Sequence, residues 1–161
     1  MPKMQWRNIL NKVNKLFIFI LFIFLDLLSK YFVKNNLALN DRFELNKFLD
    51  LVYVQNYGVS FGLLSGVLSH WLLVILAFCI VLVILYLMII ANKKLEKLAY
   101  FIIITGAISN ILDRAINGYV VDFILIHYEN YYWPAFNLAD IYITIGIIVL
   151  IMTFFIRSEE D

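Results

Sequence analysis

The stretch LSHWLLVILAFCIVLVILYLMIIA, Leu68–Ala91, carries no charged side chain and lies inside an uncharged run from Leu51 to Asn92. About 20 mostly apolar residues suffice for a helix to cross the hydrocarbon of a bilayer, so this stretch predicts a membrane span. A helix that is apolar on every face has no solvated side to offer a soluble fold. Three further stretches have the same character. They run from about Leu16 to Val33, Leu98 to Asn117 and Leu138 to Ile156, so the four spans are approximately 16–33, 68–91, 98–117 and 138–156.

Composition agrees. Of 161 residues, 63% are hydrophobic and 16% charged, against about 45–50% and 25% in soluble domains. A soluble globular enzyme is excluded, because a domain of this size still exposes about 30% of its unfolded surface. Two prolines and six glycines exclude collagen-like or disordered chains. A net charge of +1 leaves no basic surplus for a nucleic-acid partner. The single cysteine, Cys79, forbids an intramolecular disulfide and any multi-cysteine metal site. The chain therefore reads as one integral membrane domain over 1–161, an all-α polytopic protein.

Orientation follows from the lysines and arginines of short loops, which stay in the cytoplasm. Lys3, Arg7, Lys12 and Lys15 precede the first span, and Lys93, Lys94 and Lys97 separate the second from the third. The loop 35–66 has only Arg42 and Lys47 beyond the helix end, and the loop 118–137 has neither residue type. Both termini are expected inside, with these two loops outside. Lysines before an apolar stretch also begin cleaved signal peptides. Here no small-x-small site follows, and the segment continues to Asn35-Asn36, so a retained helix is expected. Phe48–Val54, β-branched and aromatic, predicts an extended segment. Tyr128, Tyr131, Tyr132, Trp133 and Phe136 form an aromatic patch suited to the headgroup level. His127, within that loop, is expected to serve as a hydrogen-bonding residue.

The informative residues are ionisable groups where lipid should be, each costly unless it faces the bundle interior with a partner. Gly106, Asn110, Asp113 and Asn117 share one helical face, with Arg114 beside it; Asn137, Asp140 and Thr144 share another. Asp26 and Lys30, four apart, are placed to pair. Adjacent Asp113 and Arg114 invite a local ion-pair network. Asp122, just past the outer end of the third span, and Asp140, at the outer start of the fourth, are candidates for a carboxylate pair. Two close carboxylates share a proton, and such a pair can do acid–base work. The pattern alone leaves open a structural role, an assembly factor, or an ion or proton translocator using intramembrane aspartates. No zinc-ligand set, nucleophile elbow or phosphate loop is present in the sequence.

Several motifs occur in order: Asp26-Leu-Leu-Ser-Lys30, Asn56-Tyr-Gly58-Val-Ser-Phe61-Gly62, Asn110-Ile-Leu-Asp113-Arg114, Gly118-Tyr-Val-Val-Asp122-Phe-Ile and Pro134-Ala-Phe-Asn137-Leu-Ala-Asp140. Together they resemble the bacterial lipoprotein signal peptidases (signal peptidase II), over roughly residues 20–150. Small residues differ from the family's usual glycine or alanine at Ser60, Thr105 and Ser109. The resemblance implies an aspartic endopeptidase of the bacterial inner membrane, its site on the extracytoplasmic side. It would cut diacylglyceryl-prolipoproteins just before the lipidated cysteine, as a monomer among membrane lipids, with no metal or organic cofactor. Asp122 and Asp140 would be the catalytic dyad. Asn56, Asn110, Arg114 and Asn137 would bind or orient substrate and dyad, while Asp26, Lys30 and Asp113 would support the architecture. The resemblance also implies a small outer β cradle and a short interfacial helix near Tyr128–Trp133.

Overall fold

A computed structural model describes residues 2–58 and 68–158. Val59, Ser60, Phe61 and Gly62 of the second motif lie outside the described residues. In chain order the elements are α1 (Pro2–Asn36), β1 (Arg42–Asn46), β2 (Leu49–Asn56), α2 (His70–Ile90), α3 (Lys94–Asn117), β3 (Val120–Tyr128), β4 (Tyr131–Tyr132) and α4 (Leu138–Ser158). The Val13–Asn36 stretch of α1, with α2 and α3, is long and apolar enough to cross a membrane; α4 carries a shorter apolar stretch, Leu138–Thr153.

Helix ends follow local chemistry. The Ser69 hydroxyl accepts the Leu72 N–H at the start of α2. At the end of α3 the chain turns at Gly118 with φ +82°, which glycine adopts without steric cost, and its N–H returns to the Arg114 carbonyl. Among its residues α2 buries only Leu73 and Val81. Most of the rest, Trp71, Ile75, Phe78 and Ile80 among them, are exposed, as expected where the neighbour is lipid.

Helices α3 and α4 pack backbone to backbone. A Cβ on Gly106 would press into the Ala139 carbonyl, and one on Gly146 would stand 2.8 Å from the Ala99 carbonyl oxygen. Small residues permit this approach, which dispersion and close packing reward in a bilayer.

The strands form one antiparallel sheet in the order β1-β2-β3-β4. A bulge between Leu51 and Val54 shifts the β2–β3 register, so that Val54 lies opposite Asp122 and Asn56 opposite Val120. Buried Val33, Tyr53, Val121 and Phe123, flanked by Leu37, Leu51 and Leu138, weld the sheet to the end of α1 and the start of α4. The sheet thus stands at one end of the bundle, and Asp122 leaves it where α4 begins.

The extended segment expected at Phe48–Val54 is present as most of β2. The molecule is mostly helical, and the small sheet expected beside the bundle is present as β1–β4. Two expectations need correction. No interfacial helix stands near Tyr128–Trp133: Tyr131 and Tyr132 pair with Tyr128 and His127 as a hairpin. Val120–Tyr128 is rich in β-branched and aromatic side chains, and strand pairing satisfies its backbone. His127 lies on β3 rather than in a loop, its Nε2 3.2 Å from the fully buried Asp50 carboxylate, which also pairs with Arg42. Arg42 thereby ties β1 to β2 through charge as well as backbone bonds, and His127 of β3 lies against the same carboxylate.

Candidate active site

The site is built on the first turn of α4. Asn137 precedes the helix and accepts the Asp140 N–H on its side-chain oxygen at 3.0 Å; Asp140 Oδ2 accepts the Asn137 N–H at 3.2 Å. This reciprocal pair is a capping box, satisfying N–H groups that a helix start leaves without partners. The next free donor, the Ala139 N–H, is taken by Asp26 Oδ1 of α1 at 2.9 Å. Asp26, fully buried, also receives the Ser109 hydroxyl and the Lys30 ammonium, both at 2.7 Å on Oδ2. One carboxylate therefore ties α1, α3 and α4 together beneath the site.

Asn137 faces both ways. While its oxygen caps α4, its Nδ2 donates to Asp122 Oδ1 at 2.7 Å. Asn56 Nδ2 donates to the other oxygen, Asp122 Oδ2, at 2.9 Å. Asn110 Nδ2 donates to Asp140 Oδ1 at 2.8 Å. Asp122 and Asp140 are thus held by the same asparagine, and an amide from a different element orients each outer oxygen. Asp122 is buried, whereas Asp140, Asn110 and Asn56 are half-buried, so the pair is approached from their side. Burial, reinforced by the Asp140 charge, pushes the Asp122 carboxyl up to about 7, against the favourable bonds from Asn56 and Asn137. A carboxyl of that kind carries a proton near neutral pH.

The remaining sequence candidates sit in the supporting layer. Asp113 Oδ2 accepts the Val121 N–H at 2.8 Å, and its Oδ1 accepts Asn117 Nδ2 at 2.7 Å. It thereby sets the start of β3 one residue before Asp122. Arg114 is buried and donates to the Asn56 and Gly58 carbonyls, fixing the exit of β2 beside the site. The adjacent Asp113 and Arg114 therefore serve different strands rather than chiefly each other. Lys30 pairs with Asp26, as their spacing suggests, and also reaches Asn110 Oδ1 at 2.7 Å and Asp113 at 3.6 Å.

Sequence reasoning missed Ser109 as a partner of Asp26, and a tyrosine group behind Asn56. The Tyr53 and Tyr119 hydroxyls lie 3.0 Å apart, Gln55 Nε2 donates to Tyr53, and Tyr57 donates to Gln55 Oε1. Burial and the Tyr53 hydroxyl push the Tyr119 phenol up. Since side chains alternate along a strand, locking Gln55 and Tyr57 on one face aims Asn56 at Asp122. A polar residue on either side of a candidate asparagine was the available signal.

Fold and site define a helical membrane protein with an amide-bridged carboxylate pair between its bundle and a small sheet. Residues 18–156 match the family model described as Signal peptidase (SPase) II, and the chain belongs to that family. The lipoprotein signal peptidase of Vibrio parahaemolyticus serotype O3:K6 is 37% identical over 153 residues, covering 91% of this chain and 90% of that protein. The Rickettsia akari lipoprotein signal peptidase is 41% identical over 138 residues, 83% of this chain and 70% of that protein. A bacterial membrane enzyme solved in meso at 2.3 Å superposes with a TM-score of 0.83 at 28% identity, covering 92% of this chain and 91% of that one. Another, at 1.9 Å, gives 0.76 at 29% identity, covering 88% and 92%. The chain is a membrane peptidase.

Proposed function

We propose that this peptidase works as an aspartic endopeptidase that removes the signal peptide from diacylglyceryl-modified prolipoproteins, with Asp122 and Asp140 as its catalytic dyad. The observation that carries the reading is Asn137, which bonds Asp122 with its side chain and Asp140 with its backbone N–H. The ionised carboxylate takes a proton from the attacking water, and the protonated one hydrogen-bonds the scissile carbonyl and then stabilises the developing oxyanion. Asn56, Asn110 and Asn137 hold the carboxylates in register, and Arg114 holds the β2 exit along which a substrate backbone would lie.

In this reading α1 through α4 are four spans, both termini are cytoplasmic and the dyad lies at the outer surface of the bacterial inner membrane. Support comes from the lysine and arginine distribution and from the 21-residue length of α4. At that depth the dyad meets a lipidated cysteine anchored in the outer leaflet. The proposed working unit is a monomer bathed in lipid. An ion relay would need acidic groups at staggered depths, whereas Asp113, Asp122 and Asp140 gather at one end of the bundle.

The test incubates purified protein with a diacylglyceryl-prolipoprotein and follows its mobility on a gel. The wild type cleaves; Asp122→Asn and Asp140→Asn each insert and fold but do not. Cleavage by either variant at the wild-type rate sinks the dyad, and a folded wild type without activity sinks the reading.

A further inference from the structure

Lys30 is 1% exposed, one turn beyond Asp26 on α1. A buried ammonium needs a counter-charge, and Asp26 at 2.7 Å supplies it. That pairing does not account for the second contact, in which Lys30 donates to Asn110 Oδ1 at 2.7 Å. An amide held by a cation at its oxygen turns its NH₂ away from that cation. There Asn110 Nδ2 meets Asp140 Oδ1 at 2.8 Å. A full positive charge on the amide oxygen also polarises the N–H and strengthens the bond it makes to a carboxylate.

The other two amides of the site are backed differently. Asn56 Oδ1 accepts the Gly58 N–H, and Asn137 Oδ1 accepts the Asp140 N–H. Both are neutral backbone donors, and both of these amides serve Asp122. Only the amide that serves Asp140 is backed by a cation. Asp140 also occupies the first turn of α4, where the helix dipole favours negative charge.

We propose that Lys30 is a positioning residue for the cleavage chemistry: through Asn110 it holds the single negative charge of the dyad on Asp140 and leaves the shared proton on Asp122. The proposal rests on the dyad reading above. The charged groups around the pair are Asp26 and Lys30 of α1 and Asp113 and Arg114 of α3, two anions and two cations. They balance, so the dyad's own charge is set by who backs which oxygen. A proton kept on Asp122 agrees with a carboxyl pushed up to about 7 by burial.

Removing Lys30 takes away the cation that favours an ionised dyad, so the acidic limb of the rate profile moves to higher pH. Losing one charge-backed hydrogen bond reduces kcat by about 10- to 100-fold, with KM within about twofold because Lys30 touches no substrate. Three variants decide the matter with a synthetic diacylglyceryl-prolipoprotein, folding being followed by thermal unfolding in detergent. Lys30→Met unbalances Asp26, so Asp26→Asn/Lys30→Met restores the charge count while still stripping Asn110 of its cation. The expected result is a reduced kcat and a raised acidic limb in both. Lys30→Met added to Asn110→Ala causes no further loss, because the effect runs through that amide. A charge-balanced variant with wild-type kcat and pH profile overturns the proposal, and so does an equal extra loss in the Asn110→Ala background. Asp122→Asn, run alongside, keeps the two ideas separate: if it is inactive while the Lys30 variants are unaffected, the dyad stands and the role of Lys30 falls.

Discussion

Asp122 is the residue on which burial acts most visibly. Its carboxyl is pushed up to about 7 in the folded chain, against about 3.9 when exposed. A group whose folded pKa is raised binds its proton more tightly in the folded state. Its contribution to stability is therefore full below about pH 4 and fades as pH rises to about 7. Asp122→Asn cannot ionise and escapes that loss. The variant should gain in Tm over the wild type, and the gain should be larger at pH 8 than at pH 5. Equal gains at the two pH values would contradict the assignment of a proton to Asp122 at neutral pH. At this scale the sequence was generous, because an ionisable residue in an apolar run stands out by its cost alone. Asp26, Asn110, Asp113, Asn137 and Asp140 were visible as polar groups in apolar runs, whereas Asn56 entered only through the likeness to a family. Their partners were not visible: Lys30 and Asn110 are 80 positions apart and Ser109 and Asp26 are 83 apart, and no local pattern links such residues. Adjacency even misled, since Asp113 and Arg114 turn to different strands.

Among the elements, the α3–α4 contact governs the site most directly. Gly106 lies against the Ala139 carbonyl, one residue from Asp140, whereas Gly146 lies against Ala99 and Ile103 at the other end of the pair. Gly106→Ala and Gly146→Ala should each cost about 1–3 kcal/mol of stability by overpacking. Only Gly106→Ala should also reduce cleavage at least tenfold, because it displaces the start of α4. Thermal unfolding and the gel assay separate the two effects, and a Gly106→Ala enzyme with wild-type activity would break the link between packing and site. Helix existence was legible in the apolar runs, and β2 in its β-branched residues. The hairpin of β3 and β4 was not, although Val120, Val121 and Ile124 through Ile126 carry strand character. Likeness to a family pointed to a helix there, and the contact of His127 with buried Asp50 joins residues too distant for local reading.

For the whole molecule the question is which way it faces. The exposed flanks of α1 and α2 are almost wholly apolar, so lipid is the natural solvent on the sides, while the sheet end and the Lys93–Lys94 turn belong in water. In a Cys79→Ser background, a cysteine at Glu129, in the turn between β3 and β4, should react with a membrane-impermeant maleimide on intact cells. A cysteine at Asn92, between α2 and α3, should react only after the cells are opened. The reverse pattern would invert the topology. The orientation proposed above rests on a count of lysines and arginines, a cue that needs no contacts. The joining of sheet to bundle through Val33, Tyr53, Val121 and Phe123 was not readable, since it depends on three elements meeting at once.

The capping box at the start of α4 has one more consequence. The hydrogen bonds that begin this helix are the same ones that hold the proposed cutting groups, so Asn137 and Asp140 serve two masters. An inhibitor gripping those atoms would leave little room for escape. A substitution that loosened its grip would also fray a membrane helix at its first turn, and the resistant enzyme would have to survive with its scaffold undone.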